Sequence, residues 1–248
     1  MWLGIDTSGS VSVALADEPG DGAGGPVTVR AVVSDVRARH HDEVLMGLVE
    51  EALASAGARR ADLTAVVAGR GPGPFTGLRV GLVTARTLAA VLDLPLLGLC
   101  SLDALALEAA IGTVEPLVEG SGANAGVGDA PARRTVGVAL DARRREVYHA
   151  RYEAAPGSLV RVDGPAVGAP ADVAEALTAC DVLVGTGCDL YPDLLPATGE
   201  ARHVDAGFLL RAVALARAAG QDLSSTKPLY LREPDAAKPT ARKSALGR

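Results

Sequence analysis

The sequence predicts an α/β protein of two duplicated lobes, each a mixed sheet flanked by helices. Two observations carry that reading. Short apolar runs of strand length alternate with longer runs of helical period, and the order found in the first half of the chain starts again in the second. The restart has a local mark. WLGID at 2–6 and TVGVALD at 135–141 are both apolar strands closing on an aspartate, each with another strand just behind it.

The first lobe, 1–111, opens with three strand-like runs, WLGID (2–6), SVSVALAD (10–17) and PVTVRAVVSDV (26–36), separated by TSGS and the glycine-rich EPGDGAGGP. HDEVLMGLVEEALASAG (41–57) follows as a helix stopped by Gly57, with Val44, Leu45, Leu48, Val49 and Leu53 forming an apolar stripe at helical spacing. Next come a strand LTAVVAG (63–69), a glycine-rich loop, a helix over 78–93, a strand PLLGL (95–99) and a helix begun by Ser101. Residues 112–134 hold Gly, Ala, Pro and acids with almost no large apolar side chain, and read as a flexible linker. The second lobe, 135–248, repeats the order with TVGVALD, EVYHARYE (146–153), LVRVDGPAV (159–167), a helix PADVAEALTA (170–179), a strand into Gly-Thr-Gly (181–187) and a late helix FLLRAVALARAAG (208–220).

Composition narrows the function classes. The 248 residues are 48% hydrophobic but only 3% aromatic, so the core is built from Ala, Val and Leu. A net charge of −6 argues against a chain that grips nucleic acid by itself, because such binding rests on clustered Lys and Arg. Cys100, Cys180 and Cys188 have no CxxC spacing and are odd in number, as expected of a reduced cytoplasmic protein, and Cys100 sits in an apolar run as a small core residue. The N-terminus lacks the basic region of a signal peptide, and no uninterrupted apolar window of membrane-spanning length is present.

The least ordinary stretch is GRGPGPFTGLRVG (69–81), a glycine-rich turn between a strand and a helix. A Walker loop needs Gly-Lys followed by Ser or Thr, but Gly77 is followed by Leu78 and the nearest lysine is Lys227. The dinucleotide fingerprint fails because Thr76 stands where the third glycine belongs. Pro72 and Pro74 each delete a backbone N–H that a phosphate nest would use. The turn is therefore read as rigid and structural, with Thr76 available to cap the helix behind it. Between Leu78 and Leu92 only Arg79 and Arg86 are charged. Leu82, Ala85, Ala89 and Leu92 mark one side of that helix, and Val80, Val83, Thr87 and Val91 the other. Such a helix is either buried between two layers of its own protein or completed by a partner subunit, with the two arginines at the rim.

Catalytic motifs are scarce. His40, His41, His149 and His203 contain no i, i+4 pair of the kind that holds a catalytic metal, and no GxSxG elbow is present. A phosphotransferase would use Asp6 and Asp141 after the duplicated strands, with Gly185 and Gly187 as weak candidates for a nucleotide loop. Asp6-Thr7-Ser8-Gly9 is equally ordinary turn chemistry.

LGIDTS followed by VSVAL, the Arg-His-His before the first helix, GPGPFTGLRVGLVTARTLA and the late PLYLREPDA together resemble the TsaB family, the bacterial dimerization subunit of the tRNA threonylcarbamoyladenosine machinery. The likeness covers the chain except 112–134 and the segment near 20–25. It implies an ASKHA fold (actin, sugar-kinase and heat-shock ATPase-like) and a degenerate, non-catalytic chain without metal or cofactor. That chain pairs with the transferase TsaD, is joined by the ATPase TsaE, and meets tRNA only through the complex. The family's pairing surface uses the first two helices, here 41–57 and 78–93. It places Val44, Leu45, Leu48, Phe75, Thr76, Arg79, Leu82, Val83, Arg86 and Ala89 at the interface, and an uncovered apolar helix makes a homodimer the state expected of the chain alone. One departure stands out: the family usually has Ser between GPG and FTG, and this chain has Pro74. The competing readings are an ASKHA-type ATP-dependent phosphotransferase and, more remotely, a glycoprotease-like metallopeptidase.

Overall fold

The computed structural model describes residues 1–20, 27–36, 41–112 and 133–232. Of the linker read at 112–134, residues 113–132 lie outside the described residues, as do the glycine-rich turn at 21–26, His40 and the end of the PLYLREPDA motif, while Gly112 closes a helix and Arg134 opens a strand.

Two mixed sheets form the skeleton. The first has the order β3 (Val29–Asp35), β2 (Val11–Ala16), β1 (Trp2–Asp6), β4 (Ala65–Gly69), β5 (Leu96–Leu99). The second has the order β8 (Ser158–Gly168), β7 (Val147–Ala155), β6 (Arg134–Asp141), β9 (Val182–Val184). In each, the central strand pairs antiparallel with the strand that follows it and parallel with a later one across a helical crossover. The register puts Asp6 opposite Ser12 and Asp141 opposite Val147, so both aspartates close their central strands.

Every residue of β1 is buried, because both faces of the sheet are covered. Leu3 and Ile5 pack with Leu45, Val49 and Leu53 of α1 (His41–Ser55) and with Leu82, Ala85 and Ala89 of α2 (Phe75–Leu92). Trp2 faces the other way, among Leu209, Leu210 and Val213 of α6 (Ala206–Ala218), and a Cβ at Gly4 would come within 2.9 Å of Leu210 Cγ. The last helix in sequence thus covers the first sheet. Conversely, α3 (Ser101–Gly112), which ends the first half, sends Leu102, Leu105 and Ala106 against Val136, Val138 and Tyr152 of the second sheet. α4 (Pro170–Thr178) and α5 (Thr186–Leu190) cover the remaining face, with Leu177 and Cys188 beside Ala139, Val147 and Leu183.

Three local expectations change. α2 begins at Phe75, not 78, with Pro74 at its N-cap, so Thr76 lies inside the first turn and caps nothing. The strand drawn to residue 187 stops at Val184, where Gly185 takes φ 111 and turns the chain into α5. The late helix starts at Ala206, two residues early, because the Asp205 carboxylate accepts the N–H groups of Gly207 (2.6 Å) and Phe208 (3.3 Å). α2 also reaches the length and mean hydropathy (1.3) of a membrane-crossing helix. Its inner side is nevertheless packed on β1 and β4.

Candidate functional site

β1 ends in Asp6, Thr7 and Ser8, and the glycine-rich loop folds down on them. Asp6 is 1% exposed. Its Oδ1 accepts from Ser8 N–H (2.8 Å) and Ser8 Oγ (2.6 Å), and its Oδ2 from Ser101 Oγ (2.5 Å). Ser101 Oγ in turn accepts the N–H of Gly71 at 3.0 Å, so one carboxylate ties β1, the loop and the start of α3 together. Burial pushes the Asp6 carboxyl above its ordinary range, and the bonds from Ser101 and Ser8 pull it back. The Thr7 hydroxyl donates to Gly77 O (2.7 Å) and accepts from Gly81 N–H (3.1 Å), meeting both ends of one helical rung of α2.

The glycines make these approaches feasible. A Cβ at Gly69 would overlap Asp6 Oδ2, one at Gly73 the Ser8 carbonyl, and one at Gly81 the Thr7 hydroxyl. The loop's glycines therefore serve chain-on-chain packing. Where a phosphate cradle would need open N–H groups, the chain's own backbone fills the space, beside a carboxylate whose two oxygens are both engaged.

The second lobe arranges the same position differently. Asp141 donates its N–H to Thr186 Oγ1 (3.1 Å), accepts Arg143 N–H on Oδ1 (2.7 Å) and pairs with the Arg143 guanidinium at 3.0 Å. Gly185 and Gly187 pack close over the Ala139 carbonyl. The structure brings Asp141, Gly185 and Gly187 together at the end of β6, and it places Asp6 in the other lobe's network. Arg143, Arg144 and Arg145 follow with φ of 61, 53 and 60. Left-handed backbone costs an L-residue about 1–2 kcal/mol, so three in a row is a marked feature. The sequence reading passed over these arginines; the only signal was the Arg-Arg-Arg run directly behind the strand-closing Asp141.

The predicted interface residues divide into two groups. Leu45, Leu82 and Ala89, at 1%, 4% and 5% exposure, are buried against the chain's own first sheet, which corrects their assignment to a partner surface. Helical periodicity had left open which side of α2 was covered, and the sheet takes this one. Val44 and Leu48 are half-buried at the edge of that core. Phe75, Thr76, Arg79, Val83 and Arg86 remain on the outward side, where Val83 is 59% and Val91 76% exposed, and Met46 is an exposed apolar residue of α1.

A segment beyond α6 joins this outward side. Gly98 N–H at the edge strand β5 donates to Leu223 O (2.9 Å), and Leu229 N–H donates to Arg70 O (2.8 Å). Arg86, expected at a partner's rim, donates instead to Thr226 O (2.7 Å) of its own chain. Arg79 lies 3.8 Å over the Phe75 ring and donates to Tyr230 Oη (3.1 Å), and the Phe75 and Tyr230 rings are 5.1 Å apart. Arg232 then reaches the other lobe, donating to Ala142 O (3.0 Å) and pairing with Glu146. The PLYLR part of the motif is thus a strap across both lobes.

A cavity of about 390 Å³ lies between α6 and the β7–β8 hairpin, lined in part by Asp103, Tyr152, Arg161 and Gln221. Arg161 grips both oxygens of Asp103 (2.7 and 2.8 Å), and Tyr152 Oη donates to the same carboxylate at 2.8 Å. These groups satisfy one another and fasten α3 to the second sheet. Cys100, buried beside Asp103, has its thiol pushed up to about 12 by burial, which suits a core residue and not a nucleophile. Among the described residues no group of three or more His, Cys, Asp or Glu could hold a metal ion.

Comparison with known proteins agrees with this geometry. Residues 29–187, more than half of the chain, match the family model described as TsaD, tRNA N6-adenosine threonylcarbamoyltransferase. An uncharacterized protein of Mycobacterium tuberculosis is 40% identical over 208 residues, 83% of this chain and 81% of its own length. The tRNA threonylcarbamoyladenosine biosynthesis protein TsaB of Escherichia coli is 32% identical over 165 residues, 65% of this chain and 64% of that one. The solved structure of YeaZ from Pseudomonas aeruginosa superposes with a TM-score of 0.69 at 27% identity, covering 93% of this chain and 99% of that one. The chain belongs to the TsaD family of tRNA N6-adenosine threonylcarbamoyltransferase-related proteins, on its TsaB branch.

Proposed function

We infer that this chain is a non-catalytic cytoplasmic subunit that pairs with TsaD and supports threonylcarbamoyl transfer to the adenosine next to the anticodon of tRNA. One observation carries the reading. The 18-residue α2 leaves Val83 and Val91 in water, while the glycines of the loop that launches it are packed against the chain's own β1 turn. A long helix with exposed branched apolar side chains behind a loop packed on its own chain fits a docking element, not a nucleotide clamp. The relative named TsaB supports the same role.

The TsaD-facing surface in this reading is the outward side of α1 and α2: Val44, Leu48, Phe75, Thr76, Arg79, Val83 and Arg86. TsaE joins the pair, the chain alone forms a homodimer through the same side, and tRNA is met only within the complex, as a net charge of −6 requires. The phosphotransferase alternative is disfavoured because both oxygens of Asp6 are engaged internally.

The test is co-purification with the organism's TsaD. Val83→Glu is expected to abolish co-elution while thermal unfolding stays within about 0.5 kcal/mol of the parent chain, since Val83 touches water. Unchanged co-elution would overturn this interface. Calorimetry with Mg-ATP checks the non-catalytic assignment: tight binding with turnover by the isolated chain would overturn it.

A further inference from the structure

The tip of the β6–β7 hairpin is held by its backbone and by Asp141. Ala142 N–H donates to Glu146 O (3.0 Å), Glu146 N–H to Arg143 O (3.0 Å), and Arg143 N–H to Asp141 Oδ1 (2.7 Å). None of these bonds uses the Arg145 side chain. The side-chain pair of Arg143 with Asp141 leaves the arginine 77% exposed, and such surface pairs contribute little to stability. Asn, Asp or Gly would occupy left-handed positions more comfortably than Arg, so the fold does not select arginine at 143 or 145. The equivalent turn of the first lobe shows an alternative: Thr7, Ser8 and Ser10 are small and buried.

The direction of these side chains limits what they can hold. The Glu146-to-Arg143 bond closes a tight left-handed turn, in which successive side chains are rotated by roughly 100–120°. Arginines fanned in this way diverge and do not converge on one small anion. They match an extended polyanion, with each guanidinium meeting a separate phosphate. Among the described residues, the guanidinium groups of Arg143, Arg145 and Arg232 stand here against the carboxylates of Asp141 and Glu146, on a chain whose net charge is −6. The turn is a local basic point on an acidic molecule.

We propose that this turn is an RNA contact, in which Arg143 and Arg145 reach the sugar–phosphate backbone of the tRNA held by the complex. The proposal rests on the reading of the chain as a subunit of a tRNA-modifying complex. The contact is weak by itself, because two or three phosphates cannot overcome the chain's overall repulsion of RNA, and it adds to the grip of the assembled complex.

The experiment uses the complex of this chain with TsaD and measures tRNA affinity against salt concentration for the parent, for Arg143→Asn/Arg145→Asn, and for Arg59→Asn as a remote exposed control. Asn suits the left-handed turn, so the double variant keeps its fold and its co-elution with TsaD. Its affinity is expected to fall several-fold near 0.1 M salt, with the slope of log K against log[salt] shallower by about 1–2, one per lost phosphate contact. Arg59→Asn leaves both quantities unchanged. An unchanged slope in the double variant overturns the proposal, as does an equal change with Arg59→Asn, which would mark a net-charge effect only. Loss of TsaD co-elution in the double variant also overturns it, because the turn would then be a protein contact. If the parent chain itself fails to co-elute with TsaD, the functional reading falls, and this proposal with it.

Discussion

The turn after β1 and the turn after β6 occupy the same place in two sheets of the same order, yet they have opposite fates. Thr7, Ser8 and Ser10 are buried beneath a glycine-rich loop, whereas Arg143, Arg144 and Arg145 stand in solvent. The helices behind them diverge as well, with 18 residues in α2 and 5 in α5. The skeleton is shared because apolar patterning and crossover rules dictate it. The use of each strand end is free to differ, because it depends on a few side chains and on what packs over them.

Five substitutions would break or sharpen that comparison. The largest effect is expected for Gly69→Ala, whose Cβ would overlap the Asp6 carboxylate; overpacking there should cost about 3 kcal/mol in denaturant unfolding. Gly9→Ala is its control, since nothing lies within 4 Å of a Cβ at that position and the cost should stay below about 0.5 kcal/mol. If both cost the same, the close packing of the first turn is not what stabilises this lobe.

Next, Asp6→Ala removes a buried acceptor of three hydrogen bonds and should cost about 2–3 kcal/mol. Asp141→Ala, at a partly solvated turn, should cost less than about 1 kcal/mol. Equal losses would mean that the two aspartates are structural equivalents after all.

The smallest effect concerns the α3–α6 pair between the sheets. Glu108 is pushed up to about 7 by burial, with the Asp205 carboxylate adding to the shift, and its Oε2 has no hydrogen-bond partner among the described residues. Between pH about 4.5 and about 7 the folded chain keeps a proton that the unfolded chain has lost, so this group's contribution to stability declines as pH rises through that window. Glu108→Gln should remove the decline and stabilise the protein at pH 8 by about 1–2 kcal/mol, once solvent screening of the partly exposed side chain is allowed for, with little change at pH 4. A thermal-unfolding series across pH reads it directly, and an equal change at both ends would show that ionisation is not involved.

Most of the elements were legible from periodicity and turn residues: WLGID and TVGVALD as strands closing on an aspartate, and the α1 stripe of Leu45, Val49 and Leu53. The start of α2 was not, because Thr76 reads as the cap of a helix from 78, whereas the helix begins at Phe75 directly behind Pro74. The candidate site was less legible. Leu82 and Val83 look alike in sequence, and only the sheet beneath α2 separates the buried one from the exposed one. Arg86 reads as a free rim charge until Thr226, 140 residues away in sequence, is seen to accept from it.

The sequence by itself determined the α/β class, the duplication, the two strand-closing aspartates and the failure of the phosphate templates. Each of these depends on residues that are neighbours along the chain. Tertiary structure alone decided that α6 covers the first sheet while α3 covers the second, and that Asp6 joins Ser101 across 95 residues. It also decided which side of α2 is left exposed, and that the PLYLR segment straps the lobes together. Those outcomes depend on which apolar faces meet, and Ala, Val and Leu on both sides of a helix are compatible with more than one such meeting.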